Sequence, residues 1–131
     1  MTAAEEVFES ISQRLARDLS LRFGGVHVLF RRDEESWMVE VTEGGASWGS
    51  VSVWADEHDA FTEAQAEEFA AEVAFDVANN LWPDDATDPW PLCPVHRDHP
   101  LQTGVRRGRA SWICLRDEAV AVPFGQLTNR T

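Results

Sequence analysis

The spacing of apolar residues changes twice along this chain, and these changes limit the folds open to it. Five apolar residues recur at helical steps near the N-terminus: Val7, Phe8, Ile11, Leu15 and Leu19. Between residues 26 and 55 the apolar residues alternate as in half-buried strands, and from 62 to about 81 the helical spacing returns. This order predicts a helix, a three-stranded antiparallel meander and a second helix.

Capping residues define the ends of the two helices. Thr2–Glu5 and Thr62–Gln65 both match a capping box, in which two side chains satisfy free N–H groups at a helix start. The pair Gly24-Gly25 ends the first helix. The second helix is expected to continue to about Leu81.

The three predicted strands cover residues 26–32, 37–43 and about 47–55. They offer one aliphatic face to the helices: Val26, Val28, Phe30, Trp37, Val39, Val41, Val51 and Val53. The opposite face carries large residues among polar groups: Leu29, Met38, Trp48 and Trp54. Either the C-terminal segment covers these residues or they contact a dimer mate or another partner.

Two aromatic residues fall away from the buried stripe of the second helix. At about 100° per residue, Phe75 and Trp82 lie on the side of Glu68 rather than Phe69. One interpretation is that the loop from Pro83 folds back over them. The other is an exposed aromatic ridge that binds a partner.

The C-terminal third is predicted to be a separate module of the same domain. The chain is expected to form one domain over 1–131, with a body at 1–82, a Pro- and Asp-rich connector at 83–91 and a Cys/His module at 92–131. In that module, residues 104–108 are predicted to form a turn. A zinc-ribbon-like β-hairpin follows over 109–115 and 119–124, which completes an α+β fold.

Both cysteines and two of the four histidines lie in the Cys/His module. One candidate ligand set for a structural zinc ion is Cys93, His96, His99 and Cys114, and the other replaces His99 with Asp117. The first is favoured because imidazole suits closed zinc sites better than a surface carboxylate. The alternative is that the cysteines are buried thiols and the histidines are exposed.

This segment resembles the C-terminal part of small actinobacterial proteins that read Cys-Pro-x-His, His-Pro-Leu and Trp-x-Cys-Pro. The resemblance covers about 25 residues, departs at Leu115 where the pattern has proline, and implies no particular activity. The order of elements is also similar to secretion chaperones and YbjN-like proteins, an analogy of architecture without a shared motif. The matching residues are Cys93, Pro94, His96, His99, Pro100, Leu101, Trp112 and Cys114.

The net charge of −12 disfavours a general nucleic-acid binder or a protein that binds anionic membranes. The charge is also uneven, because residues 55–90 hold 11 acids and no Lys or Arg, whereas residues 91–131 hold six Arg and three acids. The two regions either fit each other electrostatically or leave a basic loop for an anionic ligand.

The sequence contains no catalytic motif such as G-x-S-x-G or HExxH, and we expect neither a signal peptide nor a membrane-spanning helix. The leading prediction is a non-enzymatic cytoplasmic adaptor that binds another protein, in the manner of a chaperone and as a possible homodimer. The alternative is an anion or nucleic-acid binding module that uses Arg106, Arg107 and Arg109 beside the metal site. A metal-dependent hydrolase ranks third.

Overall fold

The computed structural model describes residues 3–33, 36–53 and 62–128. Helix α1 is followed by three strands, helix α2 and three further strands, so the predicted α+β class is confirmed. The elements are α1 (Ala3–Phe23), β1 (Val26–Asp33), β2 (Ser36–Glu43), β3 (Ala46–Val53), α2 (Glu63–Asp76), a π-helical segment (Val77–Leu81), β4 (Gln102–Arg106), β5 (Arg109–Ile113) and β6 (Ala121–Pro123).

The first three strands form an antiparallel sheet in the order β1-β2-β3, called here the N-terminal sheet. Its predicted aliphatic face is buried against the helices, with Val39 and Val41 fully enclosed. Phe8 of α1 stacks on Phe30 of β1 at 4.7 Å between ring centroids and lies 5.6 Å from Phe69 of α2. Apolar residues of both helices therefore meet on one face of this sheet.

The capping box of α2 is present as predicted. The Thr62 hydroxyl accepts a hydrogen bond from the Gln65 N–H at 3.1 Å, and the Thr62 N–H donates to the Gln65 side chain at 3.0 Å. Two free N–H groups at the helix start are thereby satisfied. The corresponding prediction for α1 involves Thr2, which lies outside the described residues.

The prediction that Trp48 lies on the outer face of the N-terminal sheet is wrong. A register shift beside Val41 inserts Trp48 as an extra residue of β3, and Gly49 after it has a φ of +116°, which favours glycine. This bulge places the Trp48 ring 4.8 Å from that of Phe23 and 5.9 Å from that of Trp82. The ring is held among other aromatic residues.

The remaining outer face of the N-terminal sheet is not covered in the predicted way. The C-terminal strands pack against α2 instead, so covering by the C-terminal segment is wrong for Leu29, which is 42% exposed. Met38 is half-buried. Trp54, the fourth residue predicted on this face, lies outside the described residues.

The C-terminal strands form a second antiparallel sheet in the order β4-β5-β6, called here the C-terminal sheet. The prediction of a turn over 104–108 is wrong, because β4 extends to Arg106 and only Arg107 and Gly108 connect it to β5. Both have positive φ, as a tight hairpin turn requires. Gly104 belongs to the strand, where the Ile113 side chain lies 2.7 Å from the position of a Cβ atom.

Glu67 joins α2 to the C-terminal sheet. Its carboxylate accepts hydrogen bonds from both terminal nitrogens of Arg14, at 3.0 and 3.2 Å, and from the Ala110 N–H of β5 at 3.0 Å. Burial raises the pKa of Glu67, but the hydrogen bonds from Arg14 and Ala110 outweigh that effect and hold the pKa below its ordinary 4.5. The ionised form is therefore favoured by folding.

We expect Glu67→Gln to lower the free energy of unfolding by about 1–2 kcal/mol at neutral pH, because charge-assisted hydrogen bonds are lost. The difference in unfolding free energy between wild type and variant is fully present above the unfolded pKa of 4.5. It disappears as the pH falls through the lower pKa of the folded state. Urea unfolding of both proteins across this pH range measures the gap between their free energies of unfolding. A gap that stays constant below pH 4.5 would contradict the assigned role.

Asp18 is the second polar anchor of the C-terminal part. Its carboxylate is fully buried and accepts hydrogen bonds from the Trp112 indole at 2.8 Å, the Gly125 N–H at 2.7 Å and the Leu127 N–H at 3.2 Å. The Arg17 guanidinium donates a further one at 3.0 Å. One side chain of α1 thus holds β5 and the segment after β6.

Within the described residues, the two helices lack the combination of length and apolar composition that crossing a bilayer requires.

Candidate metal centre

The loop that carries three of the candidate ligands is closed by backbone hydrogen bonds. Leu92 and Pro100 form an isolated antiparallel bridge, and the Cys93 N–H donates to the His99 carbonyl at 3.0 Å. The Arg97 N–H donates a hydrogen bond to the Cys93 carbonyl at 3.0 Å, and Arg97 has a φ of +59°. The loop therefore folds back on itself and brings its ends together.

Four side chains converge at this loop: Cys93, His96, His99 and Cys114, whose ligand atoms all lie within 4.8 Å of one another. His96 Nδ1 is 3.4 Å from each sulfur and 3.2 Å from His99 Nε2. Cys114 Sγ is 3.7 Å from His99 Nε2. Two thiols and two imidazoles in this arrangement can bind a metal ion.

The backbone fixes which nitrogen of His99 is free to bind a metal. The Pro100 carbonyl lies 3.0 Å from His99 Nδ1, and a carbonyl can only accept, so Nδ1 carries the proton. In the neutral ring, Nε2, which faces the cluster, is then the unprotonated nitrogen. Metal-binding histidines are commonly oriented by a hydrogen bond of this kind.

The surroundings of Cys93 favour the thiolate form of its side chain. Burial raises the pKa of its thiol, but the N–H groups of His96 and Val95, together with the side chains of His96 and Cys114, lower it from 9.0 to about 6. The N–H of His96 lies 3.5 Å from the sulfur. Because the thiolate is the form that binds metals, this environment favours ligation at neutral pH.

Cys114 comes from a different element, directly after β5. Its N–H donates to the Val120 carbonyl at 3.1 Å, and its side chain is fully buried. Asp117, the alternative ligand, instead accepts a hydrogen bond from the Ala119 N–H at 2.9 Å. Of the two predicted ligand sets, the structure brings together the one that contains His99.

A surface ion pair ties the loop to the segment after β5. Arg116 approaches both carboxylate oxygens of Asp98 at 3.1 Å. The hydrogen bond from Arg116 lowers the pKa of Asp98. Both side chains are exposed, so this pair contributes little to stability, although it spans the two segments that supply ligands.

The aromatic residues predicted to bind a partner are in different environments. Trp82 is half-buried, donates its indole N–H to the Ala86 carbonyl at 3.0 Å and stacks on Trp90 at 5.8 Å, so the connector does fold back over it. Trp48 contacts Phe23, as described above. Phe75 is 54% exposed, so these residues do not form one continuous exposed ridge.

The three arginines predicted to bind an anion are spread around the tip of the β4–β5 hairpin. Arg106 donates to the Glu118 carbonyl at 3.0 Å, and Arg107 occupies the turn. Arg109 is exposed on β5, close enough to Glu67 to help lower its pKa. The acidic helix and the basic hairpin therefore meet in part, at Glu67.

Two polar residues that position this region were not identified from the sequence. Asp18 occupies a buried position of the α1 stripe, seven residues after Ile11 and three after Leu15, and a carboxylate at such a position is itself a sign of a specific partner. Glu67 carries no comparable sign, because it is one of several acids along α2. Its partners come from α1 and β5, which spacing along the chain does not reveal.

Comparison of the chain with protein families, curated proteins and solved structures gives no match. The resemblance of the Cys/His segment to small actinobacterial proteins therefore stays an expectation.

Proposed function

We propose that this chain is a non-enzymatic binding protein whose C-terminal part is held by one structural zinc ion. The observation that carries the proposal is the convergence of Cys93, His96, His99 and Cys114 to within 4.8 Å. Thiolate and imidazole ligands together favour zinc among the common metals of proteins.

The distances within the cluster support zinc. With Zn–S of about 2.3 Å and Zn–N of about 2.0–2.1 Å, a tetrahedron has S–N edges of about 3.5 Å and an N–N edge of about 3.3 Å. Three of the four S–N distances here are 3.4, 3.4 and 3.7 Å, and the distance between His96 Nδ1 and His99 Nε2 is 3.2 Å. These four edges match an ion of this size, and the remaining two are within 4.8 Å.

A structural role is supported by the number and origin of the ligands. Four protein ligands fill a tetrahedral ion, whereas a catalytic zinc keeps one position open for water or substrate. Three ligands come from one loop and the fourth, Cys114, from the segment after β5. The ion would therefore connect the loop to the C-terminal sheet.

We further propose that the protein acts in the cytoplasm by binding another protein. A reducing compartment keeps Cys93 and Cys114 as free thiols available to a metal. Part of the surface is suited to a partner, since Phe75 and Leu29 are large apolar side chains left exposed.

Metal analysis tests the zinc proposal directly. We expect protein purified without chelator to contain about one zinc ion per chain, because the four ligands form one closed site. Cys114→Ser should lose most of the metal. Asp117→Asn is the matched control, since Asp117 lies near Cys114 in sequence but bonds to Ala119, and it should keep the full equivalent.

Wild-type protein with well under one metal ion per chain after exposure to zinc would contradict the proposal. Loss of metal in Asp117→Asn but not in a folded His99→Asn variant would transfer the site to the second ligand set. Circular dichroism of each variant separates loss of metal from loss of fold.

A further inference from the structure

An aromatic cleft lies between the π-helical segment and β4, adjacent to the metal loop. Its volume is about 330 Å³, and four aromatic rings line it: Phe75, Trp82, Trp90 and Trp112. Trp90 stacks on Trp82 at 5.8 Å and meets Trp112 edge-on at 5.7 Å. The three tryptophan rings therefore form a connected wall.

This wall is held in place by contacts outside the cleft. The indole N–H of Trp82 donates to the Ala86 carbonyl, and that of Trp112 donates to the buried Asp18. Both donors are therefore already used. Trp112 is buried and supports Trp90, so the rings that a ligand can reach are those of Phe75, Trp82 and Trp90, whose faces are electron-rich and attract cations.

The one charged residue among the described residues that line the cleft is an acid. Among the residues that line it, all within the described part of the chain, Asp88 is acidic and none is Lys or Arg. The Asp88 side chain is 80% exposed and pairs with Arg22 at 3.7 Å, so a guanidinium from a ligand would compete with Arg22 for this carboxylate. A cation entering the cleft would meet a carboxylate and no positive charge from the lining.

The cleft continues past Phe75 into a second depression of about 540 Å³, which Glu72 and Asp76 line. Partial burial raises the pKa of Asp76, so its charged form is less well solvated there than in water. A cation nearby would compensate for that loss. Acidic groups thus lie on both sides of the exposed Phe75 ring.

We propose that this aromatic cleft binds an arginine side chain presented by a segment of a partner protein. Arginine fits better than lysine because its planar guanidinium stacks on aromatic rings and pairs with carboxylates. The two adjoining depressions leave room for the backbone that carries the side chain. This inference rests on the binding role proposed above, but it does not depend on the metal.

The test uses the full-length, metal-loaded protein and two short peptides. The probe is acetyl-Gly-Arg-Gly-Arg-Gly-amide, and the control peptide replaces both arginines with citrulline, which has a similar shape without the charge. Nitrogen–proton correlation spectra follow the indole groups. We expect the arginine peptide to shift the signals of Trp82, Trp90 and Trp112 in a saturable way, and the citrulline peptide to leave them unchanged.

Variants separate binding in the cleft from general attraction to an acidic protein. Phe75→Leu keeps an apolar side chain but removes a ring, and it should weaken binding about two- to fivefold, the contribution of one exposed cation–π contact. Asp88→Asn should also weaken binding. Glu68→Gln removes an exposed charge of α2 that does not line the cleft, and it should leave the affinity within error of wild type.

Equal shifts with both peptides would overturn the proposal, as would shifts of Trp37 as large as those of the cleft, or equal effects of Asp88→Asn and Glu68→Gln. Self-association that is lost in Arg107→Ala would assign the cleft to a second copy of this chain and overturn it too. A protein that binds the peptide but takes up no zinc would contradict only the metal proposal. Bound zinc without peptide binding would contradict only the cleft.

Discussion

Chelation of the metal is expected to lower the stability of the wild-type chain by about 4 kcal/mol when the free metal had been at roughly a thousand times its Kd. A ligand that binds only the folded state stabilises it by mass action, and the loop from Cys93 to His99 provides its ligand set only when folded. The expected change in thermal midpoint is roughly 10–20 °C. Thermal unfolding with and without chelator, followed by circular dichroism, measures it.

Two variants serve as controls, one that removes a ligand and one that does not. Cys114→Ser should unfold near the temperature of the chelated wild type and should not respond to chelator, because it lacks one of the four ligands. Asp117→Asn should behave as the wild type does in both conditions. A wild-type midpoint that chelator leaves unchanged would show that the cluster does not stabilise the fold through a metal.

Replacing Asp18 is expected to be the most damaging single substitution in α1. Asp18→Ala leaves the Trp112 indole and the backbone N–H groups of Gly125 and Leu127 without their acceptor. An unsatisfied buried donor costs about 1–3 kcal/mol, so the expected loss of unfolding free energy is about 3–5 kcal/mol. Urea denaturation measures this loss.

Asp18→Asn separates the charge and acceptor geometry from side-chain size. One carboxylate oxygen faces Trp112 and Gly125, and the other faces Leu127 and Arg17. Whichever way the amide turns, its NH2 group meets N–H donors, so the variant should lose about 2–4 kcal/mol. Glu9→Ala is an exposed control on the same helix, expected within about 0.5 kcal/mol of wild type. A loss under about 1 kcal/mol in Asp18→Asn would contradict the assigned role.

Periodicity predicted most of the N-terminal fold because burial there follows simple repeats. Ile11, Leu15 and Leu19 form the buried stripe of α1, and the alternation in β2 buries Val39 and Val41. These patterns depend only on which side of a regular element faces the core. The bulge at Trp48 breaks that condition, because one inserted residue interrupts the alternation and turns Trp48 toward the helices, whereas Val51 and Val53 after it keep the predicted face.

The failure to predict strand β4 from the sequence has a different cause. Gly104 and Gly108 lie four residues apart and both favour turns, so the sequence predicts one turn across them. The structure uses only Arg107 and Gly108 for the turn, whereas Gly104 makes room for Ile113 of the neighbouring strand. A glycine that is needed for close packing and one that is needed for positive φ are indistinguishable in the sequence.

The ligand types of the candidate metal centre were evident from the sequence, and imidazole chemistry favoured His99 over Asp117, but the sequence could not show how the fold makes that choice. That choice depends on the loop closure between Leu92 and Pro100, which turns His99 toward the cysteines. The sequence showed the aromatic residues of the cleft only as separate positions. It forms because the connector folds back over Trp82 and places Trp90 beside Trp112.

The bonds made by Asp18 impose an order of events during protein synthesis. Its partners lie 94 to 109 residues further along the chain, so they are still being made when α1 and the N-terminal sheet have left the ribosome. We expect the Asp18 carboxylate to stay hydrated until residue 127 emerges, because its partners are not yet available. The side of α2 that receives β4 and β5 should likewise stay exposed until these strands have been made.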